Sequence, residues 1–255
     1  MISFTSLNLV RKTLNILFPG MLIFASFCPQ LSAQPRPEWK VSLEFPPADD
    51  RGAPSRSVGG GTRGPSCIEK DTPPLTALTP TRSNIGTTAS TNPTIFLYVP
   101  KTIAKLAEFV VVDDAGNEVY ASNFSLPGTD GIVKLNVPQS ASLKVGKDYL
   151  WQFALVCDDE DRSNDQFIRG KIRSIELSLD LQQKLQQAAS PLEKAKLLAD
   201  AKIWNETLTI IADLRSTNPN EWEQLLTSIG LENLASEPIV DCCTANRKEL
   251  VICKR

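Results

Sequence analysis

Apolar and polar positions alternate without a break along residues 149–157. Tyr149, Trp151, Phe153, Leu155 and Cys157 share one face of an extended chain, and Leu150, Gln152, Ala154 and Val156 share the other. Three aromatics on one face need a thick core to bury them, which predicts a central strand. The segments on either side also read as short strands. Residues 93–100 form an apolar run fenced by Pro93 and Pro100. Residues 107–124 read as a hairpin whose turn at 113–117 carries Gly116 and Asn117, residues suited to positive backbone angles. In 131–138, Val133, Leu135 and Val137 face one way and Ile132 the other, and 166–177 supplies a further strand. Six or seven short strands between 67 and 177, separated by turn signals, predict an antiparallel β-sandwich. Leu143, six residues before Tyr149, has the spacing of the tyrosine corner of immunoglobulin-like and fibronectin type III domains.

After Leu177 the period changes. Leu181, Leu185 and Ala188 fall on one helical face. Ser190, Pro191 and Glu193 make a capping box with proline at the first helical position. The helices expected at 192–202 and 204–216 resemble a single tetratricopeptide-like hairpin. A last helix opens at Pro219 and ends at Gly230. One such hairpin cannot bury its own apolar face, so these helices are expected to dock on the sandwich or on a partner, the sandwich being the simpler choice. Trp204 and Trp222 lie on the apolar stripes and read as core, or as an interaction surface if the helices project away from the sandwich. The predicted fold class is α+β: an immunoglobulin- or fibronectin III-like sandwich at 67–177, then a small helical unit at 178–235 and a tail at 236–255.

The N-terminus modifies this picture. Arg11 and Lys12 precede an apolar stretch, and Leu31, Ser32 and Ala33 offer a cleavage site. Residues 1–33 are therefore expected to be a signal peptide, with lipidation at Cys28 or a retained anchor as alternatives. No later run is long enough for a membrane span. Residues 34–66, rich in proline and glycine, read as a flexible arm. The chain as a whole has 255 residues, 42% hydrophobic content and a net charge of −2, which loss of Arg11 and Lys12 makes more acidic. That balance gives no reason to expect nucleic-acid binding. Histidine is absent, which removes the commonest general base and metal ligand and speaks against hydrolytic or zinc chemistry.

In an oxidising compartment cysteines tend to pair. Cys67 and Cys157 read as a disulfide that closes a long loop, with two buried free thiols as the alternative. Cys242, Cys243 and Cys253 leave an odd thiol whose pairing is open. The acidic loop at 158–165 is the best chemical candidate. Asp159, Asp161 and Ser163 occupy alternate positions, as calcium ligands do, and Asp165 closes the run. An EF-hand would place a bidentate glutamate where Gly170 stands, so no metal site is assigned. Asp159, Asp161 and Asp165 remain the candidate ligands. The competing reading is a solvated loop in which Arg162 pairs with its acidic neighbours. Its carboxylates lack the apolar surroundings that a hydrolase would need to raise an acid's pKa.

Further motifs occur in order along the chain: Gly59, Gly60, Gly61 and Gly64 before Cys67, then 75–80, 93–100 and 107–109. They continue with 117–120, 126–129, 149–151, Cys157 and Asp158 with Asp161, Arg162 and Ser163, and finally 201–204. Over residues 53–235 this succession resembles the cyanobacterial exported family known as domain of unknown function 928. The resemblance carries no catalytic residues. Through neighbouring secretion and sensor-like genes it implies an envelope partner. In that family a glycine usually stands where this chain has Lys202, and an acidic residue lies near Asn205. The combined expectation is an exported, non-enzymatic interaction module of the periplasm or cell surface. It needs no cofactor, and its partner is an envelope or extracellular protein. The alternatives are cation-dependent ligand or carbohydrate binding through Asp159, Asp161, Arg162, Ser163 and Asp165, and, third, a hydrolase.

Overall fold

The computed structural model describes residues 43, 45, 66–81, 83–126 and 128–240. The expected signal peptide, nearly all of the arm, and Cys242, Cys243 and Cys253 lie outside the described residues. Eight strands form within them: β1 (Thr76–Ala77), β2 (Ile85–Thr88), β3 (Thr94–Val99), β4 (Leu106–Val112), β5 (Glu118–Ser125), β6 (Gly131–Asn136), β7 (Asp148–Val156) and β8 (Gln166–Ser174). One sheet runs β1-β3-β6 and the other β2-β8-β7-β4-β5. All pairs are antiparallel except β2 with β8, which is parallel. Periodicity predicts six or seven antiparallel strands and misses part of this arrangement for a simple reason. β1 has two residues and β2 reads Ile-Gly-Thr-Thr, so neither is long enough to display a period.

β7 lies in the middle of the larger sheet. Its residues Tyr149, Trp151, Phe153 and Leu155 are buried between the sheets, against Leu97 and Leu135 from the facing one. Trp151 sits opposite Gly170 on β8. A Cβ at Gly170 would fall 2.4 Å from the indole Cζ2, so glycine is what lets the ring lie flat on the neighbouring backbone. The Tyr149 hydroxyl accepts a hydrogen bond from the Lys144 backbone N–H at 2.8 Å and ties the strand to the loop before it. Just beyond β7, Cys157 forms a disulfide with Cys67, with 5.4 Å between their Cα atoms.

Four helices follow: α1 (Leu179–Gln187), α2 (Pro191–Asp200), α3 (Trp204–Asp213) and α4 (Pro219–Ser228). Helices α2 to α4 build a second core on the outer face of the three-stranded sheet. Alternation along β3 makes this possible, because Ile95, Leu97 and Val99 point into the sandwich while Phe96 and Tyr98 point out. Phe96, Tyr98 and Ile132 meet Trp204, Leu208, Ile211, Trp222 and Leu225, so the fold has three layers. Two residues of the supposedly flexible arm also enter this core. Leu43 and Phe45 are buried, and their N–H groups donate to Gln224 Oε1 (3.2 Å) and Ser228 Oγ (3.1 Å) on α4. Phe45 meets Trp204 edge to face, with ring centroids 4.8 Å apart.

The helix ends show why these segments are helices. Ser190 Oγ accepts from the Glu193 N–H at 3.2 Å, and Glu193 reaches back to the Ala189 N–H at 2.7 Å. α4 ends in a Schellman motif around Gly230, whose φ is +78°. There the Leu231 N–H donates to Leu226 O and the Gly230 N–H to Thr227 O. α2 ends in the same motif, with Ile203 N–H to Leu198 O and Lys202 N–H to Ala199 O, but Lys202 holds the left-handed position at φ +59°. A lysine there bears a Cβ penalty that glycine avoids. Lys202→Gly is therefore expected to raise stability by about 0.5–1 kcal/mol despite glycine's larger unfolded-state entropy. Urea denaturation checks this, and a lowered midpoint would mean the lysine side chain contributes more than its backbone costs.

Candidate functional site

The acidic loop is built as a clasp. The Asp161 carboxylate accepts from the Ser163 N–H at 3.0 Å and caps the 3-10 turn at Arg162–Asn164. Hydrogen bonds from Ser163 hold its pKa below the usual carboxylate range. Asp165 is 9% exposed and accepts from the Cys157 N–H (3.0 Å) and Arg162 Nε (2.6 Å). The Arg162 guanidinium also forks onto Glu108 of β4, at 3.1 and 2.8 Å. Glu108 first and Asp165 second hold it firmly in its charged form.

Thus Asp161, Arg162, Ser163 and Asp165 are brought together, but as each other's partners. Asp159 stands exposed. Among the described residues no three cysteine, aspartate or glutamate side chains group as metal ligands. The alternate-position pattern that suggests a cation in the sequence is used here for turn capping and for an arginine bridge.

A concave surface lies elsewhere, where the helices meet the sandwich. A groove of about 550 Å³ opens between the β2–β3 connection and helices α1, α2 and α3. Pro93, Leu177, Leu185, Leu198 and Ile210 give it an apolar wall. This size falls within the range of ligand-binding clefts. α1 forms one rim and has no buried residue, and Leu181 and Leu185 on its apolar stripe are half-buried. The helix presents an apolar face to the groove without burying it.

The floor is polar. The half-buried Glu206 carboxylate accepts from the Thr88 hydroxyl and from the Ser90 (3.2 Å) and Ala89 (3.4 Å) N–H groups. Burial pushes its carboxyl up, against the opposing pull of the Thr88 bond and the backbone donors. Beside it Asn205 is 5% exposed and lies flat on Gly86, where a Cβ would come within 2.5 Å of Oδ1. Among the described residues its Nδ2 has no hydrogen-bond partner. Thr87 completes the join: its hydroxyl donates to Lys202 O and accepts from the Trp204 N–H at 2.9 Å. Strand β2 thereby caps α3, which has no side-chain cap of its own.

A carboxyl whose folded pKa is raised contributes stability at low pH that is lost as pH rises through that pKa. The thermal midpoint of the wild type relative to Glu206→Gln is therefore expected to rise as pH falls from 7 toward 5. A difference that stays constant over that window would mean that Glu206 ionises as it does in the unfolded chain.

A protein-interaction role leads one to expect an exposed apolar groove between helices and sandwich, but the acidic loop is the site the sequence singles out, and the residues of the groove floor carry no motif. The floor's one local signal is the polar pair Asn205 and Glu206 directly after Trp204, at the start of the helix. The groove depends on how distant segments meet, which no spacing reveals.

Among the described residues no helix is long and apolar enough to cross a membrane. The family model described as Domain of Unknown Function (DUF928) matches residues 58–239, spanning both the sandwich and the helices. No curated protein and no solved structure matches the chain significantly.

Proposed function

The chain belongs to the domain of unknown function 928 family, and on that premise we propose that it is an exported, non-enzymatic interaction module. It works in the periplasm, at the cell surface or outside the cell, and engages an envelope or extracellular protein through the groove between helices and sandwich. The groove is the observation that carries this reading, because it joins an open apolar wall to a polar floor at the edge of a three-layer scaffold. A tyrosine corner at Lys144 and Tyr149, with three strands facing five, supports an immunoglobulin- or fibronectin-type sandwich. Such sandwiches often serve recognition, which is support by analogy.

Site-specific photo-crosslinking in the producing cell tests this. A photoreactive residue at Gln186, on the groove rim, is expected to give a discrete protein adduct. The same residue at exposed Ala115, in the β4–β5 turn, gives none. Equal labelling at both positions, or none at Gln186, would remove the groove from consideration.

A further inference from the structure

Two open sheets leave four strand edges, and among the described residues three of them are protected. β1 is two residues long. β6 is covered at Ile132, whose N–H donates to Pro238 O (2.7 Å) and whose carbonyl accepts from the Val240 N–H (2.9 Å). β2 is covered by α3, through Thr87 and Thr88. The fourth edge, β5, is eight residues long, Glu118–Ser125, and among the described residues the strand paired with it is β4. The 3-10 turn at Gln139–Ala141 comes close, but Ala141 is buried in the sandwich core. β5 also lacks the usual guards: it has no lysine, arginine or proline, and its one charge, Glu118, stands at the end.

The register on β4 sorts the side chains of β5. Tyr120, Ser122 and Phe124 lie opposite the core residues Val111, Phe109 and Ala107. Ala121 and Asn123 lie opposite Val110 and Glu108 on the outer face. Phe124 is buried, and the half-buried Tyr120 ring sits 6.1 Å from that of Phe109.

We propose that β5 pairs antiparallel with β5 of a second copy of this chain across a two-fold axis, joining two five-stranded sheets into one of ten. A second copy is the occupant that the strand itself favours. Face matching centres the ribbon on Ala121 or on Ser122, both small residues that admit close approach. Centring on Ser122 sets Tyr120 across from Phe124 of the other copy, and centring on Ala121 sets it across from Ser122. The two Glu118 carboxylates fall at opposite ends of the ribbon, so like charges never meet. The contact is isologous and consumes the β5 edge of both copies at once, whereas a foreign strand would present an edge of its own.

Sedimentation velocity on the full chain tests this at about 1 to 100 µM, the span in which a contact below the standard interface size associates. The wild type is expected to pass from monomer to dimer. The double variant Ala121→Lys with Asn123→Lys sets lysines opposite one another in either register and is expected to associate at least about tenfold more weakly. At the lowest concentration, where both are monomeric, its thermal midpoint should match the wild type. Hydrogen exchange of the wild type provides a readout that does not depend on the variant folding: β5 amides should gain protection with concentration while β2 amides do not. A wild type that stays monomeric at the highest concentration overturns the proposal. So does a dimer that survives both lysines, one whose β5 amides show no concentration dependence, or an edge that takes another protein's strand without self-association.

Discussion

Trp204→Ala is expected to lower the stability of the whole molecule by about 3–5 kcal/mol, the range for emptying a large buried aromatic site. The indole is 1% exposed and stands where three separate parts of the chain meet. Its ring packs among the helices and against the outward residues of β3, with the edge contact to Phe45 from the N-terminal arm. Its Nε1–H donates to Leu78 O at 2.9 Å, so truncation also removes the donor from a buried carbonyl. Trp204→Phe separates the two effects. It keeps most of the volume and loses the donor, and a cost of about 1–2 kcal/mol is expected. Urea denaturation followed by fluorescence and by circular dichroism checks both variants. The transitions should coincide, because helices and sandwich share β3. A cost for alanine below about 1 kcal/mol would mean that the helical core does not depend on this ring.

What the sequence discloses follows from how local the cause is. The alternation of Tyr149, Trp151, Phe153 and Leu155 is a local period, and these side chains do form the sandwich core. The Ser190 cap and the Gly230 stop are set by neighbours within a turn, and both appear in the structure. Docking of the helices follows from a local shortage, since a single hairpin cannot bury the stripe through Trp204 by itself. Which surface receives them is a different matter. The continuous apolar run at 95–99 signals a strand buried on both sides, but only the fold shows that Phe96 and Tyr98 face helices.

Leu43 and Phe45 are harder still. Two apolar residues among prolines carry little periodic signal, and their burial depends on a gap beside Trp204 that exists only after the helices have docked. In the acidic loop the reading in which Arg162 pairs with its acidic neighbours matches the hydrogen bonds. Its ligand-like spacing is real in the sequence, yet Arg162 and the chain's own N–H groups occupy the carboxylates first. Asn205 and Glu206 have no such local pattern: what makes them a groove floor is Gly86 and the turn after Thr88, more than 110 residues earlier.

Replacing both Cys67 and Cys157 by alanine is expected to cost about 2–5 kcal/mol, the usual range for a native cross-link that closes a long loop. The two positions are 90 residues apart, so the bond restrains most of the sandwich in the unfolded chain. In the folded chain Cys67 is held independently of its sulfur. Its carbonyl accepts from the Ile103 N–H at 3.0 Å and the Thr102 hydroxyl at 2.8 Å, which should let the variant keep its fold. Cys157 is likewise held through its N–H, donated to Asp165 at 3.0 Å. The loss should therefore appear in the denaturation midpoint while the near-ultraviolet dichroism of Trp151 and its neighbours is retained. Wild type treated with a strong thiol reductant should fall to the same midpoint as the double variant. If reductant leaves the wild type unmoved, the two sulfurs are not bonded, and the stability of the sandwich must be assigned to its core alone.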